Sequence, residues 1–382
     1  MEAHSYLTKE QLEERRYPRS HNDDGRSEYM RDANAIIHSH PFRRLKNKTQ
    51  VFFSPGNDHI CTRMEHSLYV ASISHTIASA LNLCTDLVEA IGLGHDLGHA
   101  PFGHQGEKAL SSCIKEASGN GTKFHHELQG IRVVEFLCRP GGTGLKLTYA
   151  VKDGIVSHCG EGKEEFKVFP RKEFIDLGSI KSLGHKPATL EGCVVRLADK
   201  VAYLGRDIED AVQAKIIEEH QLPPDIQALL GTKNGDIINK FVVDIIENSN
   251  VPLAGTSDLS SGQDDEFYIS MSQEKGELLK SLMNFNYDKI YYNPIFETYK
   301  KDIDHIIKTL FEYLLSQRDK YRSNPTGYES DRYFFVRRFG IFQERYGIKS
   351  NEEEDIQAVT DFIAGFTDDF ARESYNELLK IV

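Results

Sequence analysis

The stretch GHDLGHAPFGHQGE, from Gly94 to Glu107, holds three histidines, one aspartate and one glutamate in a segment that also contains four glycines and one proline. Buried imidazole and carboxylate groups must find a partner or lose their charge, so this crowding is costly to pack. The glycines Gly94 and Gly98 are expected to end a helix here. The stretch therefore predicts a break between two helices, with polar side chains at the break that take part in binding or catalysis.

Helical periodicity extends outward from this stretch on both sides. It predicts helices over HSLYVASISHTIASALN after Thr62, over DLVEAIGLGHDL after a Thr85 cap, and over HHELQGIRVVEFL before Gly141. Apolar residues at 4-3-4 spacing within 359–370 predict one apolar helical stripe that packs in the core. Strand patterns are scarce, so the predicted fold class is mainly α.

Composition limits the class of protein. The 382 residues, 39% of them hydrophobic, are enough for a sizeable core in one domain or two. No run suits a membrane span or a secretory signal, which predicts a cytoplasmic protein. The six cysteines form no Cys-x-x-Cys pair and are expected to be reduced core thiols. The net charge of -12 disfavours an extended nucleic-acid surface, although RRLKNK at Arg43 to Lys48 leaves a local basic groove open.

Four residues from separate segments are candidate ligands for one metal ion. His95 and Asp96 are adjacent where a helix is expected to end, His66 lies in a second apolar helix, and Asp199 interrupts a third. A lone His66 is more often an ordinary core histidine, and only the company of the others favours a metal role. Two imidazoles and two carboxylates suit Mn²⁺, Fe²⁺, Ni²⁺, Zn²⁺ or Mg²⁺. Such a shell can activate water and polarise phosphorus, which predicts phosphoester hydrolysis.

Two further groups of polar residues accompany these ligands. His104 lies three residues before Glu107, so one helical turn could let the carboxylate orient the imidazole as an acid/base pair. The same spacing is common at an exposed helix start. Tyr203 and Asp207 continue the four-residue steps of Asp199 along one helix. This stripe is either a solvated face or, because its surroundings are apolar, a buried functional face.

With these residues in view, the chain resembles the HD-domain superfamily and, within it, the deoxyguanosine triphosphate triphosphohydrolase family. Six blocks carry the resemblance in order: RDANAIIHSHPFRRLKNKTQVF, TRMEHSLYVA, the opening stretch, HELQGIRVVEFL, TLEGCVVRLADKVAY and DFIAGFTDDFA. The resemblance implies an HD-domain helical fold with an additional C-terminal helical region. It divides the chain into an N-terminal segment (1–30), a catalytic domain (31–215) and the C-terminal region (216–382).

The resemblance also implies an activity. Deoxynucleoside triphosphates, dGTP first among them, would be cleaved between the α-phosphorus and the 5′ oxygen, giving deoxynucleoside and inorganic triphosphate. Mg²⁺ or Mn²⁺ would be the cofactor, with Ni²⁺, Fe²⁺ or Zn²⁺ as alternatives. By position, the metal ligands would be His66, His95, Asp96 and Asp199. His104, supported by Glu107, would be the proton donor to the 5′ oxygen.

Further positions resemble substrate contacts of the family. Arg63 and Lys200 would neutralise the triphosphate, and His99 and His126 would be secondary phosphate contacts. At the sugar, Gln50 and Asp207 would hold the 3′ hydroxyl, and the ring of Tyr203 would exclude a ribose 2′ hydroxyl.

Three positions depart from the family pattern, and, separately, the metal site alone leaves two alternative functions open. Ala100 replaces a usual proline, Arg206 stands where a histidine usually precedes the aspartate at 207, and Lys200 replaces a common second aspartate. The first alternative is an HD phosphohydrolase acting on another nucleotide phosphoester. The second is a non-catalytic regulator that binds nucleotide or single-stranded DNA. The family resemblance also implies a hexamer or tetramer and a possible nucleotide or single-stranded DNA effector.

Overall fold

The structure is a computed structural model that describes residues 2–20, 24–51, 60–119, 121–159, 166–253, 255–261, 266–318, 326–347 and 352–380. The described residues form sixteen α-helices and one two-stranded antiparallel sheet, which confirms the mainly α fold class. The first nine helices are α1 (Lys9–Leu12), α2 (Glu28–Ile37), α3 (His40–Arg44), α4 (Arg63–Ala80), α5 (Thr85–Gly94), α6 (Gly103–Ser118), α7 (His126–Arg132), α8 (Tyr149–Ser157) and α9 (Leu190–Gln213).

The sheet pairs strand β1 (Lys167–Val168) with strand β2 (Ile269–Ser270), and the remaining helices follow α9 along the chain. They are α10 (Pro224–Leu229), α11 (Asn234–Asn248), α12 (Gln273–Phe285), α13 (Glu297–Ser316), α14 (Phe334–Tyr346), α15 (Glu352–Ala364) and α16 (Asp368–Leu379). π-helical turns extend α7 and α12, over Val133–Leu137 and Asn286–Tyr291. In the described part of the chain, no helix has the length and apolarity that crossing a bilayer requires.

Local capping explains where the helices of the predicted site begin and end. α4 begins at a capping box, in which the Thr62 side chain accepts from the Glu65 backbone N–H and the Glu65 carboxylate accepts from that of Thr62. α5 ends at Gly94, as the sequence predicted. Its N-cap is Cys84 rather than the predicted Thr85, because the threonine already has helical geometry as the first residue of the helix.

The described residues bury two separate hydrophobic cores. The first surrounds α9, which packs against α4, α5, α8 and α11. The second joins α6 to α13, α14, α15 and α16. α5 belongs to the first core and α6 to the second, so the 95–102 loop that connects them crosses from one core to the other. The crowded stretch of the sequence therefore lies where the two cores meet.

The predicted apolar stripe over 359–370 is wrong as a single helix. Val359 and Ile363 lie on α15, Phe366 lies in the following turn, and Phe370 lies on α16. The break occurs because Thr367 begins a new helix, with its hydroxyl accepting from the Phe370 N–H. The first three residues are nevertheless core residues.

Two other sequence features have clear positions. Lys48, at the end of RRLKNK, is buried and donates to the carbonyl oxygens of His99 and Ala364, so its charge does not line a surface groove. All six cysteines are free thiols, and five of them are buried, as expected. The division of the chain at residues 30 and 215 remains a prediction.

Candidate metal centre and active site

A cavity of about 840 Å³ opens between the two cores. It is lined by the 95–102 loop and by residues of α4, α6, α7 and α9. Twelve of the thirteen predicted site residues line it: Gln50, Arg63, His66, Asp96, His99, His104, Glu107, His126, Asp199, Lys200, Tyr203 and Asp207. The thirteenth, His95, is fully buried beside His66, with the two ring centroids 5.3 Å apart. The structure therefore brings all the predicted residues to one region.

Three of the four predicted metal ligands form a compact group, and Asp199 joins it through its contacts with His66 and His95. Nε2 of His66 lies 2.9 Å from Oδ1 of Asp199. Nε2 of His95 lies 3.4 Å from Oδ1 of Asp96 and 3.8 Å from Oδ1 of Asp199. Ligand atoms of His66, His95 and Asp96 all lie within 4.8 Å of each other, as a shared ion requires.

The hydrogen bonds of His95 show that this group fits a cation. Its Nδ1 lies 2.7 Å from the Gly92 carbonyl oxygen, so Nδ1 carries the hydrogen and the neutral ring leaves a lone pair on Nε2. This buried Nε2 has no hydrogen-bond partner among the described residues. Two carboxylates face it, and lone pairs that converge without a donor are unfavourable unless a cation lies among them. Metal-binding histidines commonly have such a carbonyl partner on the other ring nitrogen.

The surrounding charges keep both carboxylates ionised. Burial opposes ionisation of Asp96, but His95, His99 and the Arg63 guanidinium hold its pKa well below its usual range. Nη1 of Arg63 lies 2.9 Å from Oδ2 of Asp96. Burial opposes ionisation of Asp199 as well, but the imidazoles around it lower its pKa overall. Both groups are therefore anionic at neutral pH, as metal ligands must be.

The predicted acid/base pair has a more complex environment than the sequence indicates. Oε2 of Glu107 lies 3.9 Å from Nδ1 of His104, whose side chain is 77% exposed. Oε1 of Glu107 lies closer to two buried rings, 2.7 Å from Nδ1 of His99 and 3.0 Å from Nδ1 of His126. Nε2 of His99 lies 3.0 Å from Oδ1 of Asp96. A continuous chain of imidazoles and carboxylates thus connects the metal group to Glu107.

The environment of His126 favours the charged form of its ring. Its ring stacks on that of His99, with centroids 3.7 Å apart. Burial disfavours its charged form, but the carboxylates of Glu127 and Glu107 raise its pKa well above its usual range. Burial likewise opposes ionisation of Glu107, whose pKa is nevertheless held well below its usual range by the imidazoles. His126 is therefore a protonated group beside the cavity at neutral pH.

The predicted sugar contacts include two buried carboxyl and amide oxygens, those of Asp207 and Gln50. The Tyr291 hydroxyl donates to Oδ2 of Asp207, and burial raises the pKa of this carboxyl to about 7. Oδ1 of Asp207 and Oε1 of Gln50 are buried and have no hydrogen-bond partner among the described residues. Arg206 lies apart from the cavity lining, since its Nη1 is 2.8 Å from Oε2 of Glu209. The departure at 206 therefore adds no charge to this cavity.

The cavity-lining residues that sequence reasoning missed include His158, Cys159, Tyr287 and Tyr291. His158 follows the last residue of α8, and its Nδ1 lies 2.7 Å from the carbonyl oxygen of Ile155. This repeats the geometry of His95 after α5. A histidine directly after a wholly buried helix was the available signal. No comparable local signal identifies Tyr287 and Tyr291, which lie in a π-helical turn far along the chain.

Comparison with known proteins identifies the family to which this chain belongs. A model of the HD domain matches residues 63–204, which confirms the expected HD-domain fold. A deoxyguanosinetriphosphate triphosphohydrolase-like protein of Caldanaerobacter subterraneus subsp. tengcongensis is 39% identical over 93% of this chain and 86% of its own length. Proteins with the same name from Desulfatibacillum aliphaticivorans and Clostridium perfringens are 35% and 34% identical over 92% and 93% of this chain and 88% of their own lengths. The chain contains an HD domain and belongs to the family of deoxyguanosinetriphosphate triphosphohydrolase-like proteins.

Proposed function

We propose that the chain is a metal-dependent hydrolase that cleaves deoxynucleoside triphosphates, dGTP foremost, into deoxynucleoside and inorganic triphosphate. The observation that carries the proposal is the buried Nε2 of His95, which has two carboxylates beside it and no hydrogen-bond donor among the described residues. The names of the relatives support the substrate, because they refer to deoxyguanosine triphosphate.

In this proposal, the metal site and the phosphate contacts share the centre of the cavity. His66, His95, Asp96 and Asp199 would hold Mg²⁺ or Mn²⁺, with Ni²⁺, Fe²⁺ or Zn²⁺ as alternatives. Such an ion supplies polarisation of phosphate oxygens and activation of water when bound. Arg63 and Lys200 would neutralise the triphosphate, since guanidinium and ammonium groups bind phosphate oxygens well.

Proton transfer to the leaving 5′ oxygen would come from His104, which Glu107 orients. The exposure of His104 leaves it free to move towards a substrate, and apo geometry is commonly looser than that of the complex. His99 and His126 would contact the phosphates, and the charged form of His126 suits this role. Burial lowers the pKa of His99 to about 4, so the charged groups around the triphosphate would be His126 and Arg63, with His99 as a neutral hydrogen-bonding contact.

The sugar would bind at the end of the cavity that contains Gln50, Tyr203 and Asp207. The unpartnered buried oxygens of Gln50 and Asp207 can accept a hydrogen bond from a 3′ hydroxyl. The ring of Tyr203 would pack under the sugar and exclude a 2′ hydroxyl. A pocket packed in this way penalises the additional hydroxyl by a clash and by leaving it unpaired.

The test is incubation with each deoxynucleoside triphosphate and with GTP, in Mg²⁺ or Mn²⁺, followed by anion-exchange separation of the products. We expect inorganic triphosphate and deoxynucleoside, with dGTP preferred over GTP. Pyrophosphate or stepwise phosphate release would instead indicate an HD phosphohydrolase of another specificity, and binding without turnover a non-catalytic regulator. Asp199→Asn is the inactive variant, and Asp302→Asn, on the exposed face of α13, is its matched control.

A further inference from the structure

A second group of ligand atoms lies beside the cavity, outside the four predicted metal ligands. Nε2 of His126 lies 3.4 Å from Nε2 of His158 and 3.7 Å from Sγ of Cys159. One ligand atom from each residue lies within 4.8 Å of the others. All three residues line the cavity, and both imidazoles are buried.

One hydrogen bond and two close carboxylate contacts indicate which ring nitrogens of this group face each other. Nδ1 of His158 lies 2.7 Å from the Ile155 carbonyl oxygen, which can only accept, so Nδ1 carries the hydrogen. Nδ1 of His126 lies 3.0 Å from a carboxylate oxygen of Glu107 and 3.5 Å from one of Glu127, which also only accept. In the neutral rings, two Nε2 lone pairs therefore point at one another. This contact requires a cation between the rings: the proton that keeps His126 charged when no metal is bound, or a metal ion that displaces this proton.

The spacing of the three atoms favours a metal ion. A tetrahedral zinc site has Zn–N distances of about 2.05 Å and Zn–S distances of about 2.3 Å, which place two nitrogens about 3.4 Å apart and a nitrogen and a sulfur about 3.6 Å apart. The corresponding distances are 3.4 and 3.7 Å. Both distances from His126, to His158 and to Cys159, thus match those between the ligand atoms of a tetrahedral zinc site.

The outer contacts also match those of metal-binding histidines. Such histidines usually donate the second ring N–H to a carbonyl or a carboxylate, which fixes the ring and increases the basicity of the ligating nitrogen. His158 has the carbonyl of Ile155, and His126 has the carboxylate of Glu107. Cys159 also differs from the other five cysteines, which are buried, since it is only partly buried and lies at the cavity wall.

We propose that His126, His158 and Cys159 form a second metal site, suited to Zn²⁺ or another thiophilic divalent ion. It is separate from the His66, His95, Asp96 and Asp199 group, although the rings of His95 and His158 lie only 4.9 Å apart between centroids. All three residues line the cavity, so water or an oxygen of a bound anion would complete the shell. This inference goes beyond the proposed function: with the second metal bound, the ion and not the charged ring of His126 would contact a phosphate oxygen, whichever nucleotide the protein cleaves.

Cobalt(II) is the probe, because thiolate ligation to this ion gives a near-ultraviolet charge-transfer absorption that nitrogen and oxygen ligands do not give. The full chain is stripped with a chelator, loaded with Co²⁺ alone and freed of excess. We expect two cobalt equivalents by elemental analysis, together with the charge-transfer band. Titration with Zn²⁺ should abolish that band as zinc displaces cobalt.

Variants assign the band to this site. Cys159→Ser should lose the band and one of the two equivalents, and His158→Ala should weaken the same equivalent. Cys113→Ser, which changes a buried thiol in the second core, is the matched control and should keep both. Cys159→Ala repeats the test if the serine variant folds poorly by circular dichroism.

Three results would overturn the second site: a single cobalt equivalent in the wild-type protein, two equivalents without a charge-transfer band, or a band that persists in both Cys159 variants. None of these measurements uses a nucleotide. A protein that hydrolyses dGTP but gives no band would therefore reject the second site and leave the proposed function intact. A protein that gives the band but hydrolyses no nucleotide would support the second site and reject the proposed function.

Discussion

Gly98 lies where the 95–102 loop crosses α7, and replacing it with alanine tests whether the site depends on this close approach. A Cβ at this position would lie 2.0 Å from the carbonyl oxygen of His126 and 2.3 Å from the backbone nitrogen of Gly130. Contacts of a Cβ below 3.0 Å essentially never occur. Both neighbours are backbone atoms, so the loop and α7 must separate by about 1 Å.

The separation acts directly on the imidazole and carboxylate chain. His99 follows Gly98 on the loop, and its ring stacks on that of His126 at 3.7 Å. Glu107 bridges the same two rings, so a shift of about 1 Å breaks at least one of its contacts. We expect Gly98→Ala to lower the free energy of unfolding by about 1–3 kcal/mol, as overpacking does. A misplacement of this size should slow hydrolysis by about 10²-fold.

Urea denaturation and steady-state kinetics with dGTP measure these two effects. Gly235→Ala is the matched control, because its Cβ would meet no atom within 4 Å in the first turn of α11. Removing this helical glycine should leave the stability unchanged or raise it by less than about 1 kcal/mol. The reasoning is refuted if Gly98→Ala unfolds at the same urea concentration as the control and keeps the wild-type kcat.

Three further predictions concern the ligands, the proton donor and the sugar end. His95→Ala and Asp199→Ala should each lose bound metal and activity together, and full metal content with retained activity would show that the ligand set is misassigned. His104→Ala should bind metal normally but hydrolyse about 10²- to 10⁴-fold more slowly; a near wild-type kcat would move the donor role to His126 or His99. Burial raises the pKa of Asp207 to about 7 from an ordinary 3.8, so the folded state binds this proton more tightly than the unfolded state does. Its contribution to stability is therefore complete below pH 3.8 and is lost as the pH rises to about 7. Urea denaturation of the wild type and of Asp207→Asn at a series of pH values measures this effect. In that window, the unfolding free energy of the wild type should fall by up to about 1.4 kcal/mol per pH unit relative to the variant. Parallel pH profiles of the two proteins would contradict the assignment.

Features encoded by neighbouring residues could be predicted from the sequence. The capping box that begins α4 needs only Thr62 and Glu65, and the end of α5 needs only Gly94. The polar stripe through Asp199, Tyr203 and Asp207 follows from helical geometry alone, and the length of the apolar run around it indicated burial. The mainly α fold class depends on such local signals, which explains why it could be derived before the structure.

Features that depend on how distant elements meet could not be predicted. His158 belongs to the site because α8 ends beside the histidines of α5 and α7, and Tyr291 because its π-helical turn packs on α9. Glu107 could be paired with His104 from spacing, but its shorter contacts are to His99 and His126, which approach from other elements. Lys48 lies in a basic stretch that is typical of a surface, yet it is buried and donates to the last residue of α15.

The C-terminal helices also support the 95–102 loop of the site. Phe102, at the end of the 95–102 loop, has a left-handed backbone with φ of 63°, which costs a non-glycine residue about 1–2 kcal/mol. Oδ1 of Asp368, the first residue of α16, accepts from the Phe102 N–H at 2.8 Å, and Oδ2 accepts from the Thr49 N–H at 3.0 Å. Hydrogen bonds to a charged group contribute about 1.5–3 kcal/mol, enough to offset that strain. The ammonium of Lys48 makes a second link, from the carbonyl of His99 to the end of α15. The loop that carries the metal and phosphate residues is therefore held between α7 and the turn from α15 to α16, and a fragment that ends near residue 215 would retain only the first of these supports.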